Sequence, residues 1–187
     1  MLKFKLSHWF LIWLGAMFLL VVFTQPESRP DRLDRIDFKV TESAELYFRN
    51  VRSYHYMHSQ EAGDIFDVYR LKTLFDPETE SPPLLPFAVY NNWRANEAFI
   101  RLDTAHILPE AVALTGDSAG VFTDRGAMPD ATNEAQYLFA VNVYRALRDD
   151  VALSLITADA DTVPLPDVRK KSVKQVLTDY FKLTGKL

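Results

Sequence analysis

The stretch Glu45-Leu46-Tyr47-Phe48-Arg49-Asn50-Val51-Arg52-Ser53-Tyr54-His55-Tyr56-Met57 alternates in a way that decides the reading of the fold. Leu46, Phe48, Tyr54 and Tyr56 fall on one side of an extended chain, and Arg49, Ser53 and His55 on the other, because successive side chains of a strand point to opposite faces. That pattern predicts a half-buried strand of an antiparallel sheet. Further β-branched and aromatic runs predict strands at Ile36–Val40, Ile65–Phe75, Leu85–Asn91, Ala98–Asp103, Val112–Thr115 and Val121–Thr123. Ser59 to Asp64 and Asn91 to Asn96 carry turn chemistry and predict two hairpins.

After Gly126 the apolar period lengthens to three and four. Asp130 or Thr132 can cap a helix through Asp149, with Ala135, Leu138, Phe139, Val143, Ala146 and Leu147 along its apolar side. Val151–Ala158 reads as a strand, Asp159 to Pro166 as a connecting loop, and a last helix runs from Pro166 or Asp167 to Gly185, with Val173, Val176, Leu177, Tyr180 and Phe181 on one face. The expected fold is α+β, a mainly antiparallel sheet with two C-terminal helices packed on it.

Ahead of this domain, Leu6 to Thr24 is a 19-residue run with no formal charge. As a helix it would be about 28 Å long, close to a hydrocarbon core of about 30 Å. Lys3 and Lys5 precede it and Pro26 and Pro30 follow it, the order of a secretory signal or signal anchor. Bulky residues at its end fit a signal peptidase poorly, so the expectation is a retained single-pass transmembrane anchor over residues 1–24 that partners the bilayer through residues 6–24. A polar tether at 25–35 then leads to a single domain at 36–187. A short basic tail before a terminal apolar run favours an extracytoplasmic domain, periplasmic in a bacterium.

The 187 residues carry 21 Lys plus Arg against 25 Asp plus Glu, 4 His and no Cys. The missing cysteines exclude disulfides, thiolate metal sites and thiol catalysis. The acidic balance argues against a nucleic-acid partner, which needs a basic stripe. Without residues 1–24 the net charge is −6, which argues against adherence to anionic lipid by overall charge.

Several residue groups are candidates for chemistry. Gly116-Asp117-Ser118-Ala119-Gly120 is a G-x-S-x-G string that resembles the nucleophile elbow of α/β-hydrolases, which implies Ser118 as a catalytic nucleophile. No His follows Ser118, although that family's order is Ser, acid, His, and no His-Gly-Gly segment precedes it; a hairpin turn explains the same residues. His55 and His58, with Glu61, give H-x-x-H-x-x-E, a metal-ligand spacing on a helix that a strand would split between two faces. Arg49, Arg52, Trp93 and Arg94 are candidate ligand or partner contacts: Trp93 among amides and charges suits a saccharide or peptide, and Arg49, Arg52, Arg70, Arg94 and Arg101 either line a sheet face or pair with Asp67, Glu97 and Asp103. No cofactor is expected. The leading functional expectation is a membrane-anchored, non-catalytic domain for protein–protein interaction or envelope assembly, with an envelope or membrane protein as partner and a saccharide or peptide as a further ligand class. The alternative is a membrane-tethered serine hydrolase using Ser118.

Overall fold

A computed structural model describes residues 13–14, 32–61, 63, 65–75, 84–103, 111–116, 126–127, 129–157 and 162–187. Of the first 31 residues, only Trp13 and Leu14 are described, both helical. A separate compact unit runs over Arg32–Leu187. It starts ahead of residue 36, because Leu33 is fully buried and its carbonyl accepts from Tyr137 Oη at 2.9 Å, while the Arg32 amide donates to the Lys186 carbonyl.

The fold is α+β, with two antiparallel sheets of four strands among the described residues. The first holds β1 (Tyr56–Glu61), β2 (Phe66–Leu71), β3 (Phe87–Asn92) and β4 (Glu97–Leu102) in sequence order. The second has the order β6 (Gly126–Ala127), β5 (Ala111–Gly116), β7 (Leu153–Thr157), β8 (Thr162–Pro164). Both expected hairpins form: β1 pairs β2 with His58 opposite Tyr69, and β3 pairs β4 with Val89 opposite Ile100. At the second turn the Asn92 side chain accepts from the Ala95 amide and Asn96 takes φ +52°, a left-handed geometry that asparagine tolerates.

One face of the first sheet presents Tyr56, Tyr69, Leu71, Phe87, Val89, Ala98, Ile100 and Leu102 to the core. The helices α2 (Asn133–Arg148) and α3 (Asp167–Leu183) meet this face with Tyr137, Phe139, Val143, Val173, Val176, Leu177, Tyr180 and Phe181. Thr132 caps α2 by accepting from the Ala135 amide, as its sequence position predicts. Of the expected apolar positions on α2, Leu138 is exposed instead. α3 ends in a Schellman motif: the Lys186 amide donates to the Phe181 carbonyl at 2.7 Å, the Gly185 amide donates to Lys182, and Gly185 sits at φ +65°. A Cβ added there meets nothing within 4 Å, so Gly185→Ala is expected to cost only the left-handed backbone penalty, about 1–2 kcal/mol in denaturant unfolding.

The stretch whose alternation suggested a strand is mostly helical. Thr41 caps α1 (Glu42–Tyr47), accepting from the Ala44 amide, and Glu42 and Glu45 place negative charge in the first turn, where the helix dipole favours it. A π-helical turn over Phe48–Arg52 and a 3₁₀ turn over Ser53–His55 follow, and the chain becomes extended only at Tyr56. Of the four side chains expected on the buried side, Phe48 and Tyr56 are buried and touch each other at 5.4 Å, while Leu46 and Tyr54 are exposed. The cap and the acidic first turn outweigh a period-two pattern that tertiary packing does not use.

Smaller corrections follow the same physics. Ile36–Val40 contributes a single bridge, Lys39 to Glu97, rather than a strand. Ile65–Phe75 shortens to β2 followed by a turn, and β1 continues to Glu61, consuming half the expected turn. Within the expected loop 159–166, Thr162–Pro164 forms the edge strand β8 on β7; proline suits an edge because its missing N–H costs no ladder bond there. The strand expected at 121–123 lies outside the described residues.

Tyr56, Tyr137 and Tyr180 are among the buried phenols. Burial pushes each pKa up, that of Tyr137 to about 12. Unfolding returns them to the ordinary value of about 10. Above that pH the unfolded state sheds protons that the folded state keeps, so the stability these groups contribute is full below about pH 10 and falls as pH rises through it. Phenolate absorbance followed against pH is expected to show them ionising only as the domain unfolds; free titration of all phenols near pH 10 in the folded state would contradict this burial.

Candidate functional site

The helical segment 42–55 lies against α3 and leaves a groove beside it. Arg52 fixes the seam: its Nε and Nη2 each donate to the Asp179 carboxylate at 2.8 Å, and Tyr56 Oη donates to the same carboxylate at 2.7 Å. The hydrogen bonds that Arg52 donates to Asp179 raise its pKa above the ordinary value, against a smaller effect of burial. On one side of Arg52 and Gln175 lies a shallow cavity of about 350 Å³ lined by Tyr47, Lys171, Lys174, Thr178, Asp179 and Lys182. On the other side is one of about 420 Å³ lined by Tyr54, His55, Leu71, Lys72 and Thr73.

Two properties distinguish this surface. First, the segment exposes large apolar and aromatic side chains at Leu46, Tyr47, Val51 and Tyr54, with Tyr54 77% exposed, and Tyr47 and Tyr54 line the two cavities. Second, the flanking charge is lysine. Lys171, Lys174 and Lys182 follow one another at helical spacing along the side of α3 opposite its buried face, and Lys72 reaches over the Tyr54 ring, 5.2 Å from its centroid, while donating to the Tyr54 carbonyl. Among the described residues no carboxylate forms an ion pair with Lys72, Lys171, Lys174 or Lys182, whereas Asp179 is already neutralised by Arg52.

The sequence candidates are scattered. Arg52 lies in the groove, but as a structural ion pair rather than a free contact; Arg49, one helical turn away, is exposed. Trp93 and Arg94 sit at the β3–β4 turn, the guanidinium 5.2 Å from the indole centroid, and among the described residues no bond or ring contact joins them to Arg49 or Arg52. His55 ends the 3₁₀ turn and lines the groove. His58 on β1 pairs with Asp67 at 3.0 Å and packs on the Tyr69 ring, and Glu61 pairs with Arg70, so the H-x-x-H-x-x-E residues are engaged separately. No group of three His, Asp or Glu capable of holding a metal occurs among the described residues. Ser118 lies outside the described residues; Gly116, which precedes it, ends β5.

Of the other arginines, Arg70 is a structural group: it donates to Ser59, Glu61 and Asp103, and although burial lowers its pKa, the bonds to Glu61 and Asp103 together raise it. Arg101 donates to Asn133. Tyr47, Tyr54 and the four groove lysines were not legible as a site. The Lys171, Lys174, Lys182 spacing was present in the sequence, but it reads equally as the solvated side of an amphipathic helix.

Searches against protein-family models, curated proteins and solved structures find no match to this chain. Among the described residues no helix is long and apolar enough to cross a membrane; most of the apolar run at 6–24 lies outside them.

Proposed function

We propose that this chain is a membrane-anchored, non-catalytic protein whose α+β domain, extracytoplasmic in orientation, engages another component of the envelope through the groove between segment 42–55 and α3. The observation that carries the reading is the exposed Tyr47 and Tyr54 lining the groove beside lysines that form no ion pair among the described residues, with Leu46 and Val51 exposed on the same segment. Contiguous exposed apolar side chains rimmed by polar groups mark contact surfaces, whereas single ones do not. The π-helical turn at Phe48–Arg52 adds support, since such widened turns recur at functional sites. The anchor rests on the charge-free run at 6–24.

Fractionation tests the anchor. The full chain is expected to sediment with membranes and resist alkaline extraction, and deletion of residues 1–24 is expected to release it; a full chain found in the soluble fraction would remove the anchor. Photocrosslinking tests the surface. A benzophenone side chain at position 54 is expected to form adducts in intact membranes, and one at exposed Thr162 on β8 is not; equal yields at both positions would remove the site.

A further inference from the structure

The net charge of −6 outside the first 24 residues hides a local reversal. Among the described residues, the groove's two cavities are lined by Lys72, Lys171, Lys174 and Lys182 around tyrosines that project into solvent, and the one carboxylate lining them, Asp179, is held by Arg52. Lys171 and Lys174 also border a neighbouring cavity with Asp150 and Asp167, and Lys174 Nζ donates to the Leu147 carbonyl at 3.3 Å. We propose that the component this surface meets is the anionic phospholipid headgroup layer of the membrane that holds the chain, a proposal that rests on the reading of this groove as the working surface.

Three observations favour lipid over a protein partner. Cores of protein–protein interfaces are depleted in lysine and enriched in arginine, yet the cations lining these cavities are four lysines and Arg52, which is spent on Asp179; Arg49, exposed on the same segment, lines neither. Lysine stems lie along apolar surface while the ammonium reaches phosphate, and tyrosine rings settle at headgroup depth, so Lys with Tyr is the composition of a water–hydrocarbon boundary. Leu46 and Val51 add aliphatic groups able to enter the upper acyl layer. Proximity also helps. Only seven residues, Gln25 to Asp31, join the apolar run to the compact unit, so anchoring raises the local concentration of lipid at the groove. The lysines supply attraction to phosphate that salt screens, and the tyrosines hold the contact once made.

The test uses the full chain in lipid nanodiscs. The chain has no cysteine, so Tyr54→Cys or Thr162→Cys carries a fluorophore at a single defined position. Discs are made of phosphatidylcholine alone or mixed with phosphatidylglycerol, each doped with headgroup-spin-labelled lipid as quencher. The expected result in mixed discs is quenching at position 54 several-fold stronger than at 162. That difference should fall at least fivefold in phosphatidylcholine discs, in high salt, or when Lys171, Lys174 and Lys182 are all changed to Glu. Equal quenching at 54 and 162, or quenching indifferent to lipid charge and to the lysines, overturns the proposal. A position 54 that crosslinks to protein in native membranes but is not quenched in mixed discs also overturns it, while leaving the groove as an interaction surface. A position 54 that neither crosslinks nor is quenched removes both readings. The unlabelled Lys→Glu variant is checked by its unfolding midpoint, which should shift only slightly because these residues are exposed and the one bond lost is that of Lys174 Nζ to the Leu147 carbonyl.

Discussion

Phe181→Ala is expected to destabilise the domain by about 3–5 kcal/mol, the cost of deleting a fully buried aromatic ring and leaving a cavity. Phe181 is fully buried on α3, its ring 5.1 Å from Tyr144, 5.4 Å from Tyr180 and 6.0 Å from Tyr137. These rings come from both long helices, so the cavity opens where α2 and α3 share the core. Neighbouring side chains cannot collapse into it easily, because Tyr137 is held by its bond to Leu33 and Tyr180 by its bond to the Ala98 carbonyl at 3.2 Å. The Phe181 carbonyl also closes the helix end through Lys186, but that backbone bond survives the substitution. Since whole domains are stable by only about 5–15 kcal/mol, the variant should show a large fall in urea midpoint with little change in slope. Val168→Ala on the same helix, at a 72% exposed position, should shift stability by less than about 0.5 kcal/mol. Equal effects of the two would contradict the packing of α3.

Asp179→Ala is expected to cost about 2–3 kcal/mol. Breaking a buried ion pair usually costs about 3–5 kcal/mol because the remaining charge is stranded, and the Arg52 side chain, still 22% exposed, recovers part of its hydration. Two hydrogen bonds from Arg52 and one from Tyr56 end on this carboxylate, so its loss also leaves the Tyr56 phenol without its acceptor. The effect should be local as well as global: hydrogen exchange of segment 46–57 is expected to speed up before that of β3 and β4. Replacing both partners, as Arg52→Met with Asp179→Leu, should recover much of the loss, since an apolar pair leaves no stranded charge. A double variant as unstable as Asp179→Ala would mean that the pair does more than join the helical segment to α3.

The elements most legible in the sequence were those where cap, period and stop agree. α2 has Thr132 before its first turn, and α3 has Gly185 after its last, and both apolar faces bury as their spacing requires, Leu138 excepted. The β3–β4 hairpin was legible because Asn91 to Asn96 supplies turn residues between two apolar runs. Segment 45–57 misled because its apolar and aromatic side chains alternate, yet two of them, Leu46 and Tyr54 in the expected buried row, face solvent. Exposed apolar side chains at a contact surface imitate a buried strand, so the pattern that hid the helix is itself the mark of the candidate site. The groove could not be read for a second reason. It joins residues 47, 52 and 54 to residues 171, 174 and 182, and tertiary contacts such as the bonds of Arg52 and Tyr56 to Asp179 bring these distant positions together.

Alkylation of a single cysteine tests most directly whether the groove, the proposed working surface, is occupied in membranes from cells that produce the chain. In the otherwise cysteine-free chain, Tyr54→Cys should react with a maleimide several-fold more slowly in intact membranes than after extraction into detergent, while Thr162→Cys should react at the same rate in both. A position 54 that reacts as fast in membranes as in detergent would show the groove open to solvent, and would contradict its role as the surface through which the protein works.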